Sequence, residues 1–450
     1  MPPLDDESDE PLLDEEDGYL YDEEGPVTAA SLTAVRPTNL TFLGLSRSLV
    51  PGNADLPNTY PGITGIASTI PLDKSDYQPE DTPRWLMDTA VRGSMAHVYS
   101  VIQGPEDATF SYGGPFYGDI EGYFFDNTFG DLSTIGSSPA NTATLVGTAA
   151  VYSTSGTITS ATGYSAGTFM QIGTGNTAEV VVVSGTAAGS VISFTTTPLR
   201  FPHASGSTVN TVTGPYTHRF AILQQGSWNG TGQPPVHAAT DYTGLTAVTG
   251  ARTYPYLCIS QLDLTGNTEQ LFQAKVTGNS WLSVPASGSS VPLNNPSAVV
   301  PVPAWQSTIS VGGTAMTQAG EWAFSIKREL QVYWTAQGTQ SPFVIGRGSL
   351  DATLSLHYTV STDETALLNM LNNTQPSVTV TVNNGLAGTA NIQCIMTSSV
   401  AAFTKAKPNR SAVLFGYEDE LQCVANATDV GGSGGLGPMT ITLINNVPTY

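Results

Sequence analysis

The sequence predicts a mainly β protein built from sandwich or barrel modules with short flanking helices and one small inserted all-β domain. Gly, Ser, Thr, Ala and Val dominate most of the chain, and short runs of alternating apolar and polar residues recur between Gly- and Pro-containing turns. Only 12% of the residues are charged, which is about half the usual share in a soluble domain. A surface so poor in charge is often buried against further copies of the same chain, although an extracellular adhesive domain has the same composition.

The length and the charge restrict the classes of protein to consider. With 450 residues, 40% of them hydrophobic, the chain is long enough for two or three cores. The formal net charge is -22. Twelve acidic residues lie in the first 24 positions, and without them 15 basic residues face 25 acidic ones, which leaves -10. Because tight binding to a nucleic acid backbone needs a basic face, a DNA clamp is excluded. Net repulsion of this kind keeps subunits soluble until they assemble.

Cysteines and terminal signals point to a reducing compartment. Cys258, Cys394 and Cys423 are odd in number and widely spaced, with no metal-ligand pattern, so we expect reduced cysteines in a core. The N-terminus lacks both the basic region and the apolar region that a signal peptide contains. No apolar run approaches the ~20 residues that a membrane-spanning helix needs. We therefore expect synthesis in a bacterial cytoplasm and no association with a membrane.

The N-terminal half divides into an arm, a module and an insertion. Residues 1–35 are too acidic to fold alone and are predicted to be a disordered arm. Residues 36–136 begin a folded module, in which Thr82 as N-cap and Pro83 at the first helical position predict a helix over 84–91. Residues 137–215 contain only two charged residues and several alternating segments between Gly turns, so they are predicted to form a small inserted β domain.

The second half of the chain is predicted to hold another β module. Residues 216–300 complete the first module and end in a Pro- and Ser-rich linker, and 301–430 form the C-terminal module. One helix, Asp363 to Leu371, is predicted there because Thr362 caps it and acids lie in its first turn. In residues 431–450, Gly431 to Gly437 is predicted to be a hinge. The strand that follows it is predicted to pair with the sheet edge of a neighbouring molecule.

Two short sequence similarities raise the question of an internal duplication. Asp107 to Ser111 is similar to Asp351 to Ser355, and Leu271 to Ala274 is similar to Glu420 to Cys423. Each follows or precedes comparable apolar segments. Chance similarity in a chain of such biased composition is the competing explanation, so duplication of one β module remains an open hypothesis.

No catalytic, cofactor-binding or metal-binding centre is predicted. The two G-x-S-x-G matches, at 163–167 and 431–435, lack the strand and helix that a nucleophile elbow requires. The five histidines show no metal-ligand spacing. Paired carboxylates around Asp119, Glu121 and Asp126 are compatible with a glycosidase. However, no Lys or Arg occurs from Gly93 to Leu199, so a charged wall explains these acids better than a tuned acid and base. The acids proposed for this wall are Glu106, Asp107, Asp119, Glu121, Asp126 and Asp131.

Several segments resemble the tail tube (major tail) proteins of long-tailed bacteriophages. They are Pro83–Leu86 with Arg92–Met95, Gln103–Glu106, Pro301–Trp305, Ser325–Arg328, Leu371–Pro376 and Asn426–Asp429 with its Gly-rich continuation. The resemblance covers most of residues 36–450 apart from the insertion, and it rests on the order of the segments rather than on one motif. The acidic arm and the insertion depart from the family.

This resemblance implies a structural virion protein. Such subunits close into stacked rings, hexameric or pseudo-hexameric with three duplicated copies, around a negatively charged channel through which DNA passes without specific binding. The implied partners are further copies, tape-measure proteins and tail-terminator or tip proteins, and the implied location is the virion tail after assembly in the bacterial cytoplasm. The alternatives are another virion β protein, such as a decoration or baseplate component that binds host glycans, and a secreted hydrolase or adhesin.

Overall fold

The computed structural model describes residues 42–47, 68–70, 76–187, 189–224, 232–242, 250–286, 299–336, 338–359, 365–410 and 413–450. The predicted acidic arm, the N-cap Thr362 and most of the predicted linker lie outside these residues. Within them the chain is mainly β, as predicted, and antiparallel pairing dominates. The described ranges contain no helix that is both long and apolar enough to cross a membrane.

The elements are numbered in chain order. The strands of the first half are β1 (Phe42–Arg47), β2 (Ser68–Ile70), β3 (Glu80–Asp88), β4 (Ser100–Pro115), β5 (Gly130–Thr144), β6 (Ser155–Thr157), β7 (Phe169–Ile172), β8 (Glu179–Val182), β9 (Gly185–Ala187), β10 (Val191–Ser193), β11 (Thr208–Ile222), β12 (His237–Tyr242), β13 (Arg252–Asn267), β14 (Gln273–Ser280) and β15 (Val284–Pro285). Those of the second half are β16 (Ser307–Val311), β17 (Thr314–Ala315), β18 (Ala319–Tyr333), β19 (Val344–Thr359), β20 (Val378–Asn383), β21 (Gln393–Ser398), β22 (Ala401–Asn409), β23 (Gly416–Cys423) and β24 (Thr440–Asn445). The α-helices are α1 (Glu121–Phe129) and α2 (Thr365–Leu371), and short 3-10 turns lie at Gly175–Thr177, Ala304–Gln306 and Gly388–Ala390.

Two large antiparallel sheets share strands from both halves of the chain. The first contains the eight-strand path β3-β4-β14-β13-β18-β19-β23-β22, with β12, β1, β2 and β15 attached through the N-terminal part of β13. The second has the order β17-β16-β20-β21-β24-β11-β7-β8, with β5 also on β11. The predicted boundary at residues 300 and 301 therefore runs through both sheets, and one buried cluster extends from Leu43 to Tyr450.

Helix α1 lies in the centre of this core. Every one of its residues is buried, among them Phe124, Phe125 and Phe129. The helix ends at Gly130, whose φ of 83° is the left-handed conformation that favours glycine. Helix α1 was not predicted from the sequence. Because all of its faces are buried, its apolar residues show no helical period to detect.

The predicted insertion has a buried cluster of its own but is continuous with the second sheet. Its cluster includes Ile172, Phe194 and Leu199. However, β5 and β11 pair over most of their length and run from the main core into this cluster, across both predicted boundaries of the insertion. The insertion is therefore joined to the main core by two long paired strands.

The strand order of the first sheet repeats. The order β3-β4-β14-β13 in the first half corresponds to β18-β19-β23-β22 in the second, and α1 and α2 each follow the second strand of their set. The pair β5–β11 corresponds in the same way to β20–β21 in the second sheet. The short sequence similarity at Asp107 and Asp351 lies at equivalent positions in β4 and β19. The similarity between Leu271–Ala274 and Glu420–Cys423 does not lie at equivalent positions. The registers make Gln273, at the start of β14, equivalent to Gly416 at the start of β23.

Two β-bulges lie at equivalent positions in the repeats. The β3–β4 ladder is interrupted between Pro83 and Trp85, and the β18–β19 ladder between Arg328 and Leu330. The β13–β14 ladder shifts between Ile259 and Gln261, and the β22–β23 ladder between Phe403 and Lys405. A bulge is a specific local insertion in a strand. Its recurrence twice, with the same strand order, indicates that the two halves are built on one repeated plan.

Two predictions about local structure were wrong. Residues 84–88 of the predicted helix over 84–91 belong to β3, where Trp85, Leu86 and Met87 are consecutive and all exposed. Pro83 lies at the bulge rather than at a helix start. The last strand, predicted to pair with a neighbouring molecule, is β24, which lies between β21 and β11 of the same chain. The predicted hinge before it is tied down, since Asp131 accepts hydrogen bonds from the amides of Gly432 and Ser433 at 3.0 and 2.7 Å.

Candidate functional site

The eight-strand path of the first sheet has one buried and one polar face. Inward residues such as Leu262, Phe324 and Leu354 are buried in the core. Outward residues on the same strands are mostly Thr, Ser, Gln, Asn and charged residues. The charged members of this polar face from β14 to β22 are Asp263, Lys275, Glu321, Lys327, Glu329, Asp351, Lys405, Lys407, Glu418 and Glu420. Six acids minus four lysines leave a formal charge of -2 from these strands.

Opposite charges on the polar face lie next to each other. Lys405 Nζ is 2.6 Å from Glu420 Oε1, and Lys327 lies directly opposite Asp351 in the β18–β19 register. Lys275 is likewise opposite Asp263. Cross-strand pairs of opposite charge stabilise a sheet modestly and cancel each other's field at a distance. The polar face is therefore nearly neutral rather than strongly acidic.

Four of the six acids predicted to form a charged wall are buried within the chain. Asp107, Glu121, Asp126 and Asp131 are between 0% and 6% exposed. Buried side chains do not present charge to a channel, so the wall prediction is wrong for these four. Glu106 and Asp119 are partly exposed and remain candidates.

Asp126 is neutralised by a residue that the sequence analysis did not single out. Arg200, from the insertion, donates Nη1 to Asp126 Oδ1 at 2.6 Å and Nη2 to Asp126 Oδ2 at 2.8 Å. The same Nη2 donates to the Tyr450 carbonyl oxygen at 2.8 Å. Glu179 accepts from the Arg200 amide and lies 2.6 Å from His203 Nε2. These contacts join the insertion to α1 and to the C-terminal segment.

Glu121 has no such partner. It is fully buried in the first turn of α1, and neither carboxyl oxygen has a hydrogen-bond partner. Burial, together with the nearby Asp119, raises the pKa of Glu121 to about 8, and a backbone interaction with Tyr117 opposes the rise only in part. The carboxyl group is therefore protonated in the folded chain at neutral pH, and it contributes no negative charge.

Asp131 is held in place by the loop that was predicted to be a hinge. It accepts hydrogen bonds from the amides of Gly432 and Ser433 and from the Ser433 hydroxyl. Burial raises the pKa of Asp131, and these hydrogen bonds and the charge of Arg219 act against that rise. The role of this carboxylate is to fix the loop that precedes β24.

Two buried arginines hold the C-terminal end of α1. Arg328 on β18 donates Nη1 to the Thr128 carbonyl at 2.6 Å, and Arg347 on β19 donates Nη1 to the Asn127 carbonyl at 3.0 Å. Both guanidinium groups lie where the helix dipole is negative. Burial and the neighbouring Arg347 lower the pKa of Arg328 to about 9. These residues position α1 against the first sheet.

Among the residues that the structure describes, the hairpin of β3 and β4 carries the largest set of exposed apolar side chains. It consists of the outer part of β3, the turn at residues 89–99 and the start of β4. Its exposed apolar residues are Trp85, Leu86, Met87, Val91, Met95, Val98, Val101 and Ile102, each at least 40% exposed. Consecutive residues of a strand point to opposite faces, so apolar groups are exposed on both sides of the hairpin. A group of exposed apolar residues of this kind is typical of a protein–protein contact.

The first G-x-S-x-G match, at 163–167, is followed by strand β7, which begins at Phe169, and not by a helix. Ser165 lies in a turn, with its hydroxyl 3.2 Å from Thr168 Oγ1. The cysteines are free and buried, as predicted. Throughout the described ranges, no group of three His, Cys, Asp or Glu side chains is arranged to hold a metal ion.

No protein-family model matches the chain, and no curated protein matches it.

Proposed function

We propose that this protein is a structural subunit of the tail tube of a long-tailed bacteriophage. One observation carries the proposal: a repeated β module forms one wide sheet whose outward face is polar and whose outer strands, β3 and β22, have no further strand beside them among the described residues. Such a sheet is suited to continue through neighbouring copies and to enclose a channel. The sequence resemblance to tail tube proteins supports the same function.

The near-neutral polar face sharpens the proposed mechanism of DNA passage. Stable binding of a nucleic acid backbone requires uncompensated Lys and Arg side chains. The lysines of this face lie beside acids, so the face offers phosphates neither a strong attraction nor a strong repulsion. DNA would slide past such a wall without specific contacts. This differs from the strongly acidic wall expected from the sequence.

The exposed hairpin supports contact between stacked rings or with other tail proteins. Its apolar residues are uncovered in the single chain, and burying them would stabilise an assembly by about 25 cal/mol for each Å² removed from water. In the proposed virion tail, formed in the bacterial cytoplasm, the partners are further copies, tape-measure proteins and terminator or tip proteins.

Electron microscopy of the purified protein tests this function. We expect negatively stained samples to contain tubes or ring stacks with a central channel, and the same tube in the parent virion. A protein that stays monomeric under assembly conditions, in a virion whose tube consists of another protein, would contradict the proposal.

A second candidate function is favoured by the separate core of the insertion. A virion decoration or baseplate protein would use such a module to bind host glycans. This alternative would be favoured if the intact chain binds to a glycan array and forms no tubes. Substitution of exposed residues within 146–206 should then abolish the binding.

A further inference from the structure

A cavity lies between helix α2 and the strands of the second repeat. Its volume is about 630 Å³, which is within the range of about 300 to 1,000 Å³ that is usual for small-molecule sites. Its wall is formed by α2, by strands β19, β22 and β23, and by the β16–β17 hairpin. Met316, Tyr358 and Phe403 supply apolar and aromatic surface. The cavity therefore has room for a small organic molecule.

Among the described residues that line this cavity, Asp419 on β23 is the one with a charged side chain. It is 1% exposed. Its Oδ2 accepts a hydrogen bond from the Tyr358 hydroxyl at 2.8 Å, whereas Oδ1 has no partner in the described part of the chain. Burial raises the pKa of Asp419 to about 6, and the Tyr358 hydrogen bond and the nearby His357 oppose the rise. The carboxyl group is therefore mostly ionised at neutral pH, with one oxygen unsatisfied.

The first repeat has a valine where the second has this acid. Asp419 is opposite Leu356 in the β19–β23 register, and Val276 is opposite Tyr112 in the equivalent β4–β14 register. Val276 is fully buried. The ring of Phe124 on α1 stacks on Tyr112, with the ring centroids 5.4 Å apart. The first repeat thus fills with apolar side chains a place where the second repeat has an acid and a cavity.

Helix α2 contributes small and polar side chains to the cavity. Ala366 is its one buried residue. Thr365 and Asn369 lie one turn apart on the same face of α2 and also line the cavity. Whereas α1 is buried over its whole length, α2 therefore leaves space above the sheet and adds polar groups to its wall.

The charge of the wall restricts the kind of ligand. The described residues that line the cavity include no Lys, Arg or His, so an anion would meet the Asp419 carboxylate without compensation. A divalent metal ion needs several oxygen or nitrogen ligands, and no group of three such acidic, His or Cys side chains exists in the described ranges. One ammonium group, in contrast, can donate to the unsatisfied oxygen of Asp419 while its organic part packs on aromatic rings.

We propose that this cavity binds a small organic molecule with one ammonium group, and that Asp419 accepts a hydrogen bond from that group. The site goes beyond the proposed tail tube function and does not rest on it. Asp419 lies on the buried face of the first sheet, whereas its neighbours Glu418 and Glu420 lie on the polar face. The bound ammonium group offsets the cost of burying a carboxylate that Tyr358 satisfies only in part.

Equilibrium dialysis of the full chain against three probes of similar size tests the site. The probes are benzylamine, benzyl alcohol and benzoate, which carry a positive, a neutral and a negative group on the same ring. We expect benzylamine to bind one molecule per chain with a Kd below about 1 mM. Benzyl alcohol should bind at least about tenfold more weakly, and benzoate not at all, because the partner group is a buried carboxylate.

Variants of the acid and of the helix locate the bound probe. Asp419→Asn keeps the shape of the side chain and should weaken benzylamine binding at least about tenfold. The matched control is Glu418→Gln, which removes the same charge from the polar face and should leave the Kd within about twofold, since exposed charges at a distance are screened. Ala366→Leu places a larger side chain in the cavity and should abolish binding while Asp419 is retained.

Each result decides for or against the site. Equal binding of benzylamine and benzyl alcohol, binding without saturation, or an unchanged Kd in Asp419→Asn overturns the proposal. If Asp419→Asn does not fold, the three probes with the parent chain and the loss of binding in Ala366→Leu decide. Tubes that bind no benzylamine refute only the amine site, whereas a chain that binds one benzylamine and builds no tube retains the site and contradicts the tail tube function.

Discussion

The unpaired carboxyl group of Glu121 predicts an unusual dependence of stability on pH. In the unfolded chain this group titrates near 4.5, and in the folded chain its pKa is about 8. Below pH 4.5 both states hold the proton, so the group costs the fold nothing. As the pH rises toward 8, the unfolded state releases the proton while the folded state keeps it, and the free energy of unfolding falls. Above pH 8 the loss is complete.

The size of the effect follows from the pKa difference. Between 4.5 and 7 the difference spans about 2.5 pH units, each worth about 1.4 kcal/mol, so about 3 kcal/mol is lost at pH 7. Glu121→Gln keeps the shape of the side chain but carries no ionisable group. We expect this variant to match the parent chain near pH 4.5, apart from a constant offset, and to exceed its stability by about 3 kcal/mol at pH 7.

This difference is measured by urea denaturation at several pH values. Tryptophan fluorescence reports the unfolding, at a protein concentration too low for assembly. The matched control is Glu269→Gln, at an exposed turn, which should leave the pH dependence unchanged. If the free energies of unfolding of Glu121→Gln and the parent chain stay parallel from pH 4.5 to 8, the buried carboxyl group is not the cause and the reasoning is refuted.

Three further predictions concern the insertion, the hairpin and the first sheet. Arg200→Met leaves Asp126 buried without its counter-charge and should destabilise the chain by about 3 to 5 kcal/mol; Arg200→Met with Asp126→Asn should recover part of this in thermal unfolding, and no recovery would argue against the pair. Trp85→Ser should reduce assembly in light scattering without lowering the melting temperature of the monomer, because Trp85 is 55% exposed; a marked fall in that temperature would place it in the core instead. Gly266→Val puts a Cβ 2.4 Å from the Trp322 ring, and we expect loss of soluble protein, whereas Gly320→Val, with open space around its Cβ, should be tolerated.

Secondary structure was predictable where burial alternates along the chain. Strands β16, β18 and β19 each have one buried and one polar face, and this alternation is the pattern that predicts a strand. Helix α1 and strand β3 were missed for opposite reasons. The first is buried on all sides and the second is exposed on both, so neither has the pattern of an element lying on a core.

The candidate site was harder to predict than the fold, because a carboxylate's environment depends on residues far away in the sequence. Asp126 and Arg200 are 74 positions apart, and Asp131 and Ser433 are 302 positions apart. A stretch without Lys or Arg looked like a surface of negative charge. In the folded chain Asp126 is paired with Arg200 of the insertion and Asp131 is bound by the loop before β24, while Glu106 and Asp119 are partly exposed.

The sequence by itself determined the class of the fold and the scarcity of charge, because composition and alternation act locally. Only the tertiary structure decided which acids are buried, that β24 is an internal strand, and that the repeat in the sequence near Asp107 and Asp351 marks two equivalent modules. Strand order and bulge position depend on which strands pair, and pairing is set by contacts between segments far apart in the chain.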